Sequence, residues 1–469
     1  MTPGQRGGLI VMALTTAYFV AWAVTQLAMA AVAAVWTWRY RRRQSRRARL
    51  LVERVAPPLV SIVAPAFNEE LTIVHSVRAL LALDYERREI VVVNDGSTDG
   101  TLALLQRTFD LVRAPVAYVQ PLPSAPVRAV YRSARDPALV VVDKANGGCK
   151  ADASNAGINA ARGELVLVID ADTVLEPDAL TRVVLPFLED PSTVAAGANV
   201  AIVNGCGVTD GRLTSVALPR SRLARLQIVE YMRAFLLFRP ACAACNSLLI
   251  LSGAFGLFRR DALIAIGGFD RTAIGEDMDL TLRLQRYYRA ARLPFRIAFD
   301  PAPLCATQAP EDWQSLRSQR RRWRRGLMQV LWRHRGMIVN PRYGLVGLGS
   351  LPYVAIFEGL APLLEFVSYV LMMVALLLGA VDWRHYAAVV VVWSLLGTAV
   401  TMTAVLLNDL VTGRYLAGTD LARLVVTALV ENCGYRQLNT WWGFIGTVQA
   451  LTGKGGWGTM KRRAFQGTP

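Results

Sequence analysis

Hydrophobic residues in this chain come in blocks, and the spacing inside them changes from one part of the chain to the next. Residues 9–38 run without a single charged side chain, long enough to cross a bilayer as one helix. From residue 58 to 340 the texture differs. Short, nearly continuous apolar runs at 60–64, 89–93, 139–142 and 164–169 alternate with stretches of helical periodicity. Such runs predict strands covered on both faces, hence an α/β domain with a mainly parallel central sheet whose ligands bind beyond the carboxyl ends of the strands. Residues 226–251 are also apolar, but Glu230, Arg233 and Arg239 interrupt them, which predicts a buried or interfacial helix rather than a span.

After Pro341 the chain turns apolar again over 345–381, 386–407 and 421–451. The first block carries Pro352, Glu358, Pro362 and Glu365 and is too long for one straight helix. It predicts an amphipathic surface helix followed by a span over about 360–380. The second predicts a further span. The centre of the third, Glu431-Asn432-Cys433-Gly434-Tyr435-Arg436-Gln437, is too polar to face lipid and predicts a bent or interfacial helix pair. The chain thus divides into an extracytoplasmic terminus (1–8), a transmembrane helix (9–38), a basic linker (39–57), a cytoplasmic catalytic domain (58–340) and a region of interfacial and transmembrane helices with a basic tail (341–469).

Charge orients this plan. Arg39, Arg41, Arg42, Arg43, Arg46, Arg47 and Arg49 directly follow the first apolar stretch, whereas a cleavable signal peptide carries its basic residues in front. Positive residues stay inside, so residue 40 onward and the basic segment 454–463 are expected in the cytoplasm of a bacterial-type membrane. The net charge of +17 is concentrated in that cluster and in a second around residue 320, which points to membrane lipids and phosphate groups rather than nucleic acid. Six cysteines without paired spacing predict reduced thiols. Cys242 and Cys245 form a C-x-x-C, but with no second pair and only three histidines they read as packing rather than a zinc site.

Candidate chemistry sits where strands end or helices begin. Pro65-Ala66-Phe67-Asn68-Glu69-Glu70 follows the first run and reads equally as an ordinary helix start. Asn94-Asp95-Gly96-Ser97 follows the second; it is a turn and cap by composition, and Asp95 is placed to accept hydrogen bonds from a base or ribose. Lys144-Ala145-Asn146-Gly147-Gly148-Cys149-Lys150-Ala151-Asp152 is a Gly-rich loop with two cations, suited to phosphate oxygens. In Asp170-Ala171-Asp172, residues two apart in an extended segment point the same way, so both carboxylates can approach one Mg²⁺ or Mn²⁺ that offsets the charge of a departing diphosphate. Glu276, Asp277 and Asp279 open a helix. Acids there suit the helix dipole, and Asp277, with Glu276 beside it, is also the candidate base for deprotonating an attacking hydroxyl. Gln319-Arg320-Arg321-Arg322-Trp323 combines guanidinium groups for phosphates with an indole face for a sugar ring, or forms a basic helix at a membrane surface.

These motifs, in this order, resemble those of the processive family 2 glycosyltransferases, the cellulose, hyaluronan and poly-N-acetylglucosamine synthases. The resemblance covers roughly residues 58–340. It implies a GT-A type nucleotide-diphospho-sugar transferase fold and inverting β-transfer from a UDP-sugar to a growing polysaccharide, coupled to its translocation. By that resemblance Asp95 contacts the uridine, with Pro65, Asn68 and Glu69 lining its pocket. Lys150 and Asp152 lie near the donor, and Asp170 and Asp172 hold diphosphate and metal. Asp277 acts as base, and Gln319, Arg322 and Trp323 close over pyrophosphate and acceptor. Ser252, Gly253 and Phe255 match an acceptor-side loop more loosely. Two departures stand out: Cys149 separates the glycines from Lys150, and Ser154 occupies a usually apolar position. Alternatives are transfer of one sugar to a lipid-linked acceptor, or a scaffold with a degenerate transferase domain, which intact Asp170, Asp172 and Asp277 oppose. The sequence names neither the sugar nor an accessory export subunit.

Overall fold

The structure is a computed structural model that describes residues 3–54, 56–115, 118–209, 211–412 and 418–453. The basic segment 454–463 lies outside the described residues. The predicted strands are present as Val60–Ala66, Arg88–Asp95, Leu139–Lys144 and Leu165–Ile169, almost wholly buried along their length. Each fully buried Val, Leu or Ile contributes about 1.5–3 kcal/mol of transfer free energy, and this sets the core in the middle of the sheet.

These four strands pair in parallel at the centre of a ten-stranded sheet. Antiparallel strands extend it on both sides, so the whole is mixed. One pairing matters most for function. Phe255–Arg259 runs antiparallel beside Leu165–Ile169, with Phe255 opposite Ile169, so the loop just before Phe255 lies against the residues just after Ile169.

Helices cover the sheet through buried residues at helical spacing, such as Ile73, Val77 and Leu80, or Thr101, Leu105 and Phe109. The helix Lys150–Ala160 is built of small residues because it packs closely on Val60–Ala66; a Cβ on Gly157 would stand 2.3 Å from Val63 Cγ1. Ser154 in this helix is fully buried, and its hydroxyl has no hydrogen-bond partner among the described residues.

Among the described residues, two helices are long and apolar enough to cross a membrane, Arg6–Arg42 and Trp383–Thr412. The 345–381 block forms Val346–Gly359 and Ala361–Leu377, bent by 41° and so a third span if taken together. The last block is a kinked pair, Gly418–Val430 and Arg436–Thr452, broken at Cys433 and Gly434, where Gly434 has φ 96°. Its polar residues meet protein partners: Glu431 pairs with Arg233 at 2.5 Å, and Glu365 with Arg436 at 2.9 Å. The 226–251 stretch forms Arg222–Arg233, a π-helical turn and Arg239–Ala244, packed between the sheet domain and the membrane helices. Cys242 is buried against Ser350 and Cys245 is exposed; both are free thiols.

Candidate active site

The strand order assembles the site. Asp170 leaves the end of Leu165–Ile169, and the antiparallel neighbour brings Gly253 beside it. Lys150, at the start of its helix, bridges the two through Asp170 Oδ1 at 2.5 Å and the Gly253 carbonyl at 2.6 Å. The Gly253 N–H donates to Asp277 Oδ2 at 3.2 Å. Asp170, Lys150, Gly253 and Asp277 thus form one connected chain of contacts, on the wall of a cavity of about 1290 Å³. Asp172, Ser252, Glu276, Gln319, Arg322 and Trp323 line the same cavity.

Asp170 and Asp172 are not in extended backbone as the spacing suggested. The strand ends at Ile169 and the next residues turn, with the Thr173 N–H donating to the Asp170 carbonyl at 3.1 Å. The turn still leaves the two acids within each other's field. Burial, and then the like charge of Asp170, push the Asp172 carboxyl up to about 6. Two crowded carboxylates form a hard oxygen donor set, which suits Mg²⁺ or Mn²⁺ completed by phosphate and water, and a divalent cation would relieve the crowding.

The acids at the head of Glu276–Ala290 are perturbed in the same direction. Burial, then Asp277, push Glu276 up to about 7. Burial raises Asp277 too, against hydrogen bonds from the Met278 and Gly253 N–H groups and the charge of Arg239. For Lys150 burial opposes the charge, but Asp170, Glu276 and Asp277 outweigh it and hold the ammonium above its ordinary value. Burial lowers Arg322, which faces Glu276 and Asp170. Trp323 is 42% exposed and presents its ring to the cavity, with Arg320 stacked on it at 4.6 Å. Gln319 is buried, and its Oε1 has no hydrogen-bond partner among the described residues.

Pro65, Asn68, Glu69 and Asp95 lie outside that cavity, at the ends of two neighbouring strands and in the loops after them, which are tied together by Thr98 N–H to Asn68 Oδ1 (2.8 Å) and Glu69 N–H to Thr101 Oγ1 (2.9 Å). Asp95 is held by the Lys144 ammonium and the Gly147 N–H. Three assigned side chains are buried within the protein. Glu69 is buried and accepts from Thr72 Oγ1, because it serves the start of the following helix. Asp152 is fully buried between Lys144 (2.6 Å) and Arg271 (2.7 Å). The Phe255 ring is fully buried, because it faces the core from its strand. The Lys144 ammonium is likewise enclosed, by Asp95, Asp152 and the Ala145 carbonyl.

The cavity also contains side chains that the motifs did not mark, among them Tyr231 and Arg239. The only signal for Arg239 was a charge inside an apolar stretch.

Residues 57–326 match the family described as glycosyltransferase like family 2. The chain belongs to the family 2 glycosyltransferases. Its curated relatives include the poly-beta-1,6-N-acetyl-D-glucosamine synthases of Staphylococcus aureus, 27% identical over 274 residues, and of Staphylococcus epidermidis, 26% identical. The match covers 58% of this chain but only 56% of those relatives, little more than half their length. Among solved structures, the mannosyltransferase PcManGT of Pyrobaculum calidifontis, in complex with GDP-Man and Mn2+, is 19% identical with a TM-score of 0.49, covering 94% of this chain and all of that one.

Proposed function

We propose that the chain is a membrane-embedded, inverting glycosyltransferase that moves a sugar from a UDP-sugar onto the end of a growing polysaccharide. N-acetylglucosamine is the first candidate sugar, from the products named for the curated relatives. The observation that carries this reading is the single cavity lined by Asp170, Asp172, Lys150 and Asp277. Asp170 and Asp172 would hold Mg²⁺ or Mn²⁺, which when bound neutralises charge on the leaving diphosphate.

Asp277 takes the proton of the acceptor hydroxyl as its oxygen bonds to the anomeric carbon and the bond from that carbon to the UDP oxygen breaks. Attack from the face opposite UDP inverts the centre. Burial makes Asp277 a stronger base than a solvated aspartate, and the Gly253 N–H aims it. Lys150 and Arg322 face the diphosphate, and Trp323 offers an apolar wall to the acceptor ring. Asp95, braced by Lys144, faces the uridine.

The Arg39–Arg49 cluster supports a cytoplasmic catalytic domain. The cavity's reach to Val354 and Glu358, in the first half of the bent helix pair, supports coupling of extension to passage between the membrane helices. Membranes containing the protein, incubated with a panel of radiolabelled UDP-sugars and Mg²⁺ or Mn²⁺, are expected to form a ladder of products from one donor. A single added residue would replace polymerisation with lipid-linked transfer, and no product from any donor would refute the reading.

A further inference from the structure

The cavity does not stop at the reacting groups. It extends past Asp277 to Phe238, Arg239, Val354 and Glu358, where the helix Arg239–Ala244 meets Val346–Gly359. Arg239 is 8% exposed, is packed at 3.6 Å over the Phe235 ring, and lines this end. Its Nη1 is buried and has no hydrogen-bond partner among the described residues. Burial lowers the guanidinium to about 10, against the pull of Asp277, so the group stays charged at neutral pH. A buried charged donor left unbonded is costly, and one that opens on a cavity marks where a ligand atom belongs.

The chemistry of that atom follows from the surroundings. Arginine only donates, so the ligand must supply an oxygen. Asp277 and Glu358 are the carboxylates whose charge reaches Arg239, while the nearby cation Arg320 is engaged by Glu230 through two 2.8 Å bonds. Glu358 also faces Arg324, so two guanidiniums meet two carboxylates here and no net positive charge is left to hold an anionic ligand. A hydroxyl or amide oxygen fits, and the Tyr231, Phe235 and Phe238 rings on the same walls suit the apolar faces of a sugar.

We propose that Arg239 forms the floor of a second acceptor subsite, which holds an uncharged sugar unit behind the reacting one through a hydrogen bond from Nη1 to a hydroxyl or acetamido oxygen. The proposal rests on the glycosyl-transfer reading above, and it adds the chemical class of acceptor that the site selects.

The test uses the purified full chain with UDP-N-acetylglucosamine, a β-1,6-linked N-acetylglucosamine trimer, and the same trimer carrying a carboxylate on its middle sugar. The readout is the ratio of transfer to the trimer over donor hydrolysis by water. Both reactions use the same base and donor site, so a change in either cancels. Arg239→Gln is expected to lower the ratio about tenfold at subsaturating trimer, with recovery at high trimer concentration, the size of effect expected for one hydrogen bond to a charged donor. Arg239→Lys keeps the charge but shortens the reach, and is expected to fall in between; it also serves if the glutamine variant does not fold. Wild-type protein is expected to prefer the neutral trimer to the carboxylated one.

A ratio unchanged in the variant that folds, or preference for the carboxylated trimer, overturns the subsite. Wild-type protein that neither transfers nor hydrolyses any UDP-sugar refutes the underlying reading instead.

Discussion

Replacement of Asp277 by Asn isolates the proposed base. Asparagine has nearly the same shape and keeps one acceptor oxygen, but its amide nitrogen must face one of the two N–H groups now bonded to the carboxylate, Met278 at 2.8 Å or Gly253 at 3.2 Å. That donor–donor conflict costs about 1–3 kcal/mol. Relief from keeping a buried carboxylate charged offsets part of it, because burial already disfavours the anion there. Folding stability is therefore expected to change little. Catalysis is not: loss of a general base lowers turnover by about 10²–10⁴-fold, or roughly 3–5 kcal/mol of barrier. Wild-type turnover should rise with pH as Asp277 deprotonates, and this limb should vanish in Asp277→Asn. The assay pairs initial rates of UDP release with donor affinity measured by equilibrium binding. Donor affinity should hold while turnover falls. Turnover within about threefold of wild type, far inside the range for a lost base, would eliminate Asp277 from the role.

Two other outcomes follow from the same geometry. Glu276 is raised from 4.5 to about 7 in the folded chain, so the stability it contributes is present at low pH and is lost as pH rises through that window. Glu276→Gln should therefore gain thermal stability relative to wild type between about pH 5 and 8, and a difference in Tm that stays flat with pH would contradict the shift. Lys144→Met strips the buried ammonium from Asp95 and Asp152, at a cost of about 3–5 kcal/mol for a broken buried pair. It should lower Tm and weaken UDP binding together; a wild-type Tm would show that the pair is not what braces the nucleotide loop.

Much of the architecture was legible because its signals are local. The runs that became Val60–Ala66, Arg88–Asp95, Leu139–Lys144 and Leu165–Ile169 are apolar on both faces, and only a covered central strand tolerates that. The polar centre at Glu431 and Asn432 likewise foretold a break, since such residues need protein partners. What could not be read depends on distant segments. Gly253 reaches Lys150 and Asp277 only because Phe255–Arg259 inserts antiparallel between Leu165–Ile169 and Thr193–Ile202, and strand order is decided by packing across the domain. Burial separates acids that look alike in sequence: Asp170 and Asp172 open on the cavity, whereas Asp152 is enclosed by Lys144 and Arg271 and Glu69 serves a helix start. The aspartate spacing pointed to shared access for a reason that does not hold, because a turn rather than a strand brings the pair together.

The most direct test of a cation held by Asp170 and Asp172 is Mn²⁺ binding in the presence of UDP, followed by electron paramagnetic resonance on the full chain. Wild type and Asp277→Asn should each bind one tightly held Mn²⁺ that UDP strengthens, and Asp172→Ala should lose it. Equal UDP-dependent binding by Asp172→Ala and wild type would contradict the assignment of these aspartates to the metal.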